Sequence, residues 1–266
     1  MGKNNYICRK ISAPLDINGD LNKAVWQKAE KSPRFIDVIG GTPGLYDTRA
    51  ALLWDDDYLY VGYWCEEPYP TAHITERDGL LWFENEVEMF IDGGDTYYEL
   101  QVNALNVVYE AFYIWKDAYS KFSTYPEFDV FKNDARVFGG NHDRTGEYFW
   151  RGSHPRGNRW AFLNWDLQGL KTAVKINGRL NDISEPSEGL EIEIALPWSG
   201  MKHLANDRQL PPRQGDLWRV FFGRYEKLHI NGEEVSVGWS WDKIGTNDNH
   251  FPELFTPIEF SHELID

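Results

Sequence analysis

The sequence is poor in cysteine and has no long apolar run. Cys8 and Cys65 are its only cysteines, and no CxxC or Cys/His spacing accompanies them, which disfavours a zinc site. No stretch approaches the roughly 18 apolar residues of a membrane span. The start, MGKNNYICRK, lacks the apolar segment of a signal peptide. These absences predict a cytoplasmic protein without a membrane partner, although a secreted protein trimmed of its leader would look the same.

Basic residues are also scarce. The 266 residues include 27 Lys and Arg against 42 Asp and Glu, which gives a formal net charge of -15. A nucleic-acid partner requires a basic footprint, and an anionic membrane surface would repel such a chain. Neither is therefore an expected partner, whereas a neutral ligand, a cation or a basic partner is compatible with this charge.

Aromatic residues and alternating segments are abundant instead. The chain has 12 Trp, and the segments NEVEMFID (85–92) and YYELQVNAL (97–105) alternate apolar with polar residues. Such alternation is typical of half-buried strands. About nine to eleven strand-like segments with little helix predict an all-β fold. We expect a β-sandwich of mostly antiparallel strands, with one or two short helices and a long irregular loop over residues 116–160.

Two tryptophans stand close together near the C-terminus. The stretch VGWSWDKIGTNDNH (237–250) places Trp239 and Trp241 two residues apart. On a strand this spacing puts both indoles on one face. They belong either to the core or to a platform on which a ligand stacks, because an indole serves both purposes.

Several segments, in this order, resemble carbohydrate-binding module family 9. They are DINGDLNKAVWQKA (16–29), LLWDDDYLYVGYWCEE (52–67), NEVEMFIDGGDTYYELQVNALN (85–106), EIEIALPW (191–198), GDLWRVFFGRYE (215–226) and GWSWDKIG (238–245). The resemblance covers about residues 10–262, and we predict a single domain over 1–266. It implies a DOMON-like β-sandwich, binding of a mono- or oligosaccharide, a role in the catabolism of plant polysaccharides such as xylan, and structural calcium. The better-known members are attached to xylanases, and no catalytic module accompanies this sequence.

The resemblance also implies a binding site in which two tryptophans clamp a sugar. Trp82 lies six residues before Glu88, as the first of these tryptophans does in the family, and Glu88 would accept hydrogen bonds from hydroxyls. Gln101 stands where the family tends to carry an arginine, and Asn103 shares its strand face. We expect Arg224 to reach this face too. The second clamp would be one of the two late tryptophans, Trp239 or Trp241, with the other bracing it.

Paired glutamates raise a second hypothesis, a glycan-active enzyme such as an O-glycosyl hydrolase. Glu86 and Glu88 lie two apart on one strand, so their Cα atoms are roughly 6.5 Å apart and their carboxyls could act together on a glycosidic bond. Glu191 and Glu193 form a similar pair. A general acid would need a raised pKa, whereas glutamates on an outer strand face are usually solvated. A third hypothesis is an interaction scaffold without catalysis.

The sequence offers a few candidate ligands for calcium and for haem. The turn Asp92-Gly93-Gly94-Asp95 offers the hard oxygen ligands that calcium prefers, so Asp92 and Asp95 are the candidate ligands. Relatives with the DOMON fold can bind haem through Met and His. Only Met89 and Met201 are plausible here, and Met89 falls on the apolar side of its strand, so no haem is expected.

The long irregular segment carries a group of cationic side chains. They are His142, Arg144, Arg151, His154, Arg156 and Arg159. In an acidic chain such a group could bind a uronic acid or another anionic sugar through bidentate arginine contacts. It could equally neutralise the acidic strands of the protein itself.

Overall fold

The fold is built from strands in the order that the alternating segments predict. The computed structural model describes residues 5–139, 154–246 and 248–265. The strands are β1 (Tyr6–Lys10), β2 (Ile36–Asp37), β3 (Thr48–Trp54), β4 (Tyr58–Glu66), β5 (Glu86–Asp92), β6 (Thr96–Asn103), β7 (Val108–Trp115), β8 (Ala135–Phe138), β9 (Arg159–Phe162), β10 (Lys171–Asn177), β11 (Gly189–Pro197), β12 (Leu217–Ile230), β13 (Glu233–Ser240) and β14 (Thr256–Leu264). Two short α-helices, α1 (Ala24–Lys28) and α2 (Lys202–Ala205), accompany them. The predicted all-β class is confirmed.

Hydrogen bonds join these strands into one mixed sheet. Its order is β10-β11-β4-β3-β1-β14-β12-β5-β6-β7-β9-β8, with β13 and β2 paired beside β12. Neighbours are antiparallel except where β1 runs parallel to β14 and to β3. The two halves of the sheet pack face to face, since the rings of Tyr63 on β4 and Phe222 on β12 lie 6.0 Å apart. The Tyr63 hydroxyl also donates a 2.9 Å hydrogen bond to the Glu88 carbonyl across the layers.

The core between the layers follows from the strand alternation. Val87, Met89 and Ile91 of β5 point into it and are buried, while Glu86 and Glu88 point to the opposite side of the sheet. Burial of each large apolar side chain stabilises the fold by about 1.5–3 kcal/mol. We call the side of β5, β6, β7 and β12 that faces away from this core the outer face.

The segment expected to be one long loop contains regular structure. Residues 135–138 form β8, which pairs with β9, and 3-10 turns occur at Tyr119–Lys121 and Pro126–Phe128. β8 has only four residues, too few for alternation to reveal it in the sequence. In the part of the chain that the structure describes, no helix is long and apolar enough to cross a membrane.

Candidate functional site

The outer face carries a row of polar side chains fixed by strand register. Glu88 on β5 pairs with Gln101 on β6, and Gln101 pairs with Tyr109 on β7. On the other side of Glu88 lies Gly223 of β12. A Cβ at position 223 would come within 3.1 Å of the Glu88 Cγ, so the glycine leaves room for this side chain. The pleat therefore gathers polar groups from neighbouring strands at one place.

Three glutamates of this face form what we call the glutamate cluster: Glu86, Glu88 and Glu99. Their exposed fractions are only 5%, 4% and 4%. A smaller apolar group surrounds them on the same face, with Phe90 and Tyr113 from the strands and Leu81, Ile244 and Phe255 from the covering loops. The expectation that glutamates on this face are solvated is therefore wrong for these residues.

Within the described residues, the side chains that donate hydrogen bonds to the glutamate cluster are neutral amides and a phenol. Gln101 Nε2 donates to a Glu99 oxygen at 2.9 Å and lies 3.5 Å from a Glu88 oxygen. The Tyr113 hydroxyl donates to Glu99 at 2.5 Å. Asn249, from the loop after β13, donates its amide to the other Glu88 oxygen. Amide and phenol donors satisfy part of the cluster, but they bring no positive charge.

Burial changes the protonation of the glutamate cluster. Desolvation raises the pKa of Glu86 and of Glu88 well above the ordinary value, because burial disfavours the charged form. The carboxyl of Glu99 adds to this effect at Glu86, and the carboxyl of Glu86 adds to it at Glu88. The pKa of Glu99 is raised to about 7 by burial, against hydrogen bonds from Tyr113 and Gln101 that lower it. Burial therefore favours the protonated forms of these carboxyls.

Two acceptor atoms of this face have no hydrogen-bond partner within the described residues. They are Glu86 Oε2 and Gln101 Oε1, both buried. Buried polar atoms in folded proteins are nearly always paired, and an unpaired one requires a specific explanation. The Gln101 oxygen is an acceptor, and so is Glu86 Oε2 when that carboxyl is ionised, so a hydrogen-bond donor would satisfy both atoms.

Trp82 lies at the rim of this site. It belongs to the 3-10 turn Leu81–Phe83, and 37% of its surface is exposed. Its ring meets Tyr109 edge to face with 5.2 Å between centroids, and Tyr109 is the neighbour of Gln101. An indole that is partly exposed beside buried acceptors is suited to stack on the apolar face of a sugar.

Asn103 supports this rim and does not face a ligand. Its amide donates to the Ile74 carbonyl at 2.9 Å and to a Glu84 oxygen at 2.6 Å. The second Glu84 oxygen accepts the backbone N–H groups of His73 and Ile74. The side-chain oxygen of Asn103 is held by the N–H groups of Leu105 and Val107. With both ends used, Asn103 positions the loop that carries Trp82.

Arg224 does not reach the outer face. It pairs with Val87 in the β12–β5 register, which puts its side chain on the core side. There it donates at 2.7 Å to Glu67 and to Glu226 and at 2.8 Å to Thr48. The expectation for Arg224 is therefore corrected. Its alternation with Phe222, a core residue, already indicated the inner face.

The late tryptophans are core residues, which corrects the expectation that one of them stacks on a ligand. Trp239 pairs with Arg224, is buried, and donates its indole N–H to Thr48 Oγ1 at 3.1 Å. Trp241 is buried against Phe222, with ring centroids 5.2 Å apart. Neither indole shares a surface with Trp82 or Glu88, because Trp239 on β13 and Trp241 just after it both belong to the buried core.

The second glutamate pair serves the structure. Glu193 accepts from Lys23 Nζ at 2.6 Å and from the indole N–H of Trp26 at 2.8 Å. It also binds the backbone N–H groups of Asn18 and Gly19. Its carboxyl thus ties the N-terminal segment to β11, and its partners leave no lone pair facing a substrate.

The turn proposed for calcium is already neutralised by protein cations. Asp95 pairs with Lys121 and, at 2.7 Å, with Arg156, while Asp92 accepts the N–H of Gly94 at 2.7 Å. Over residues 5–139, 154–246 and 248–265, no three His, Cys, Asp or Glu side chains are grouped to hold a metal. Asp92 and Asp95 do not fit a calcium site, and calcium elsewhere stays a prediction.

The cationic group of the long segment is divided. His142, Arg144 and Arg151 lie outside the described residues. Arg156 pairs with Asp117 and Asp95, and His154 lies 3.0 Å from Glu253, so these two neutralise the protein's own acids. Arg159 is fully buried. Its Nε donates to the Tyr97 hydroxyl at 2.7 Å, and Trp115 and Phe138 flank its guanidinium at 4.9 Å.

Sequence reasoning missed several residues of the site. Glu99 and Tyr113 complete the cluster, Asn249 covers it and Tyr109 supports Trp82. A signal existed for Glu99, which lies two residues before Gln101 and therefore on the same face. Asn249 belongs to a polar stretch that follows a strand, but no spacing relates it to Glu88, 161 positions earlier.

Comparison with known proteins places this fold. No family model and no curated protein matches the chain. A carbohydrate-binding module family 9 from Caldicellulosiruptor kristjanssonii, solved with cellotriose, aligns over 98% of this chain and 95% of its own at 14% identity, with a TM-score of 0.53. Its structure with glucose aligns over 97% of this chain and 96% of its own at 14% identity, with a TM-score of 0.51. A Bacteroides uniformis protein, provisionally described as carbohydrate-binding, aligns over 98% of this chain and 100% of its own at 15% identity, with a TM-score of 0.59. The predicted family 9-like fold is confirmed.

Proposed function

We propose that this protein binds carbohydrate on the outer face, at the glutamate cluster. One observation carries the proposal: Glu86 Oε2 and Gln101 Oε1 are buried acceptors without partners in the described structure, and the partly exposed indole of Trp82 packs on Tyr109, the strand neighbour of Gln101. A sugar combines hydroxyl donors for such acceptors with an apolar ring face for the indole.

The roles of the residues follow from their positions. Glu86 and Glu88 accept hydroxyl hydrogen bonds, Gln101 contributes its free carbonyl oxygen, and Trp82 stacks on the pyranose. Asn249 occupies one Glu88 oxygen in this structure, so a ligand hydroxyl would replace its amide there. The similar fold of the Caldicellulosiruptor kristjanssonii module, solved with cellotriose and with glucose, supports sugar as the ligand class. Those sugars are ligands of that protein, and the assignment for the present chain rests on its outer face.

Calorimetric titration with glucose, cellotriose and xylo-oligosaccharides tests the proposal, with calcium and with a chelator in parallel. We expect saturable binding that Trp82→Ala weakens at least about tenfold, since a stacked aromatic is worth about 1.4 kcal/mol or more. Phe131→Ala is the matched control, because Phe131 is 95% exposed and far along the chain from the site. Absence of binding across the panel would refute the proposal and favour the scaffold hypothesis.

Hydrolysis of the bound glycan is a second candidate function. The raised pKa of Glu86 and of Glu88 is what a general acid requires, and perturbed carboxyls cluster at catalytic sites. Each titration mixture should therefore be checked for products by chromatography. Products that Glu88→Gln abolishes would establish an enzyme, whereas unchanged glycan with retained binding would establish a binding protein. Dependence of either result on calcium would support the calcium prediction.

A further inference from the structure

The buried glutamates outside the glutamate cluster share one feature: each has a cationic partner. Glu193 pairs with Lys23 at 2.6 Å, and Glu110 pairs with Arg77. Glu67 and Glu226 share Arg224, at 2.7 and 2.6 Å. An isolated buried charge is costly, and these pairs are how the chain compensates for it. These four buried glutamates are therefore compensated by cations, whereas the buried carboxyl of Asp55 is held by the N–H groups of Asp57 and Tyr58 and by the Tyr60 hydroxyl.

The glutamate cluster departs from that pattern. Three carboxyls lie together at 5% exposure or less, yet over the described chain no Lys or Arg forms an ion pair with any of them. Lys227 is the cation whose field reaches Glu86, but its Nζ binds Ser236 Oγ instead. Within the described residues the cluster thus has no direct ionic partner, and the buried guanidinium on the same face, that of Arg159, donates to Tyr97 instead.

The unpartnered atoms specify what the missing group must supply. Glu86 Oε2 and Gln101 Oε1 both need a donor. The Gln101 amide is oriented by its Nε2, which donates to Glu99, so its oxygen is fixed as the free end. A hydroxyl offers one O–H, whereas an ammonium group offers three N–H donors and a full positive charge. Three donors and a positive charge suit the two unpartnered oxygens together with one Glu88 oxygen, among carboxyls that have no ionic partner in the described chain.

We infer that the ligand of the outer face is an amino sugar whose positively charged amine enters the glutamate cluster. This inference rests on the proposed carbohydrate binding and names the class of sugar. The amine lies among Glu86, Glu88 and Gln101, and the ring stacks on Trp82. Charge-assisted hydrogen bonds to buried carboxylates are about twice as strong as neutral ones, so the amine dominates selectivity over a neutral sugar.

Protonation supports this assignment. Burial raises the pKa of all three carboxyls, so without a ligand it favours their protonated forms. An ammonium group nearby favours the ionised form. Binding of the amine should therefore release protons from the cluster to the buffer, which a neutral sugar would do far less.

Calorimetry with matched ligands tests the inference. The probes are fully deacetylated chitotriose, its N-acetylated counterpart and cellotriose, at about neutral pH in two buffers of different ionisation enthalpy. We expect the deacetylated trimer to bind about tenfold more tightly than cellotriose or more, with proton release. Equal or tighter binding of cellotriose would overturn the amine inference and leave the proposed function intact. Absence of binding by all three would refute both.

Isosteric variants locate the selectivity. Glu86→Gln and Glu99→Gln should each reduce affinity for the deacetylated trimer about tenfold and affinity for cellotriose by less. Glu234→Gln, at an exposed position of β13, is the control. Thermal melts establish that the variants fold, which we expect because each change replaces a buried carboxyl by a neutral amide. A preference for the amine that survives when Glu86→Gln and Glu99→Gln are combined in one protein would overturn the inference.

Discussion

Two groups of buried carboxyls lie on opposite sides of the same pair of strands. On the core side of β12, Arg224 is held between Glu67 and Glu226, and its position faces Val87 of β5. On the outer face, one residue away along β5, Glu86 and Glu88 have no cation within the described chain. Both groups are equally buried, so burial alone does not distinguish them. The difference is that the inner group is complete and the outer group is not, as expected of a binding site.

Removal of Arg224 should have the largest effect on this contrast. Arg224→Met would leave Glu67 and Glu226 buried without a counter-charge, and we expect a loss of about 3–5 kcal/mol in the free energy of unfolding, measured by urea denaturation. Arg219→Met is the control, because Arg219 is more than half exposed on the same strand and should change stability by less than about 0.5 kcal/mol. A small loss for Arg224→Met would mean that the inner group does not depend on its cation.

The pH dependence of stability should reveal the outer group. The pKa of Glu99 is raised from 4.5 to about 7 in the folded protein, so the folded state holds this proton more tightly than the unfolded state. That contribution is complete below about pH 4.5 and is lost as the pH rises through about 7. The unfolding free energy should therefore fall by up to about 3 kcal/mol over this range.

The variant Glu99→Gln isolates that contribution. It should lose less stability than the parent as the pH rises, so the difference between the two unfolding free energies should grow between about pH 5 and about pH 8. Glu110 and Glu226 have raised pKa values of about 7 and 8 and affect both proteins alike. A parallel pH profile in the variant would show that Glu99 titrates at its ordinary value.

A smaller loss is expected where the rim is anchored. Asn103→Ala removes hydrogen bonds to Ile74 and Glu84 and should cost about 2 kcal/mol. Sugar affinity should fall as well, although Asn103 touches no ligand, because the loop with Trp82 loses its attachment. Asn22→Ala, at an exposed position, is the control. Unchanged affinity in Asn103→Ala would separate the anchor from the site.

The smallest change in stability should accompany the largest change in binding. Trp82 is partly exposed and lies outside the core, so Trp82→Ala should lower the unfolding free energy by no more than about 1 kcal/mol. Its thermal midpoint should remain close to that of the parent while sugar binding is strongly weakened. A large fall in the midpoint would identify Trp82 as a packing residue.

The sequence predicts the faces of the strands better than it predicts which face holds the site. Alternation in NEVEMFID correctly separates Glu88 from Met89, and Trp82 is found at the rim. Arg224 and Trp239 were assigned to the wrong side, because side-chain parity on β12 and β13 has meaning only after their register with β5 is known. The partner Glu67 is 157 positions from Arg224, and no local pattern relates residues so distant.

Whether each buried glutamate has a charged partner likewise cannot be inferred from the sequence. Glu86 and Glu88 resemble Glu191 and Glu193 as pairs of alternating glutamates. The fold brings Lys23 and Trp26 to Glu193. To the glutamate cluster it brings amides and a phenol from the described residues. The distinction between a structural pair and a site therefore depends on contacts made by segments far away along the chain.

The attachment of Trp82 has a consequence for specificity. The loop of residues 73–84 is joined to the sheet through Asn103 and Glu84, and Leu81 packs beneath it. Residues 80, 82 and 83 of this loop make none of those anchoring hydrogen bonds. A library that randomises these three positions would present new stacking surfaces above unchanged acceptors. The recognition surface of this protein is thus separable from its framework, and its selectivity for sugars can be evolved without rebuilding the sheet.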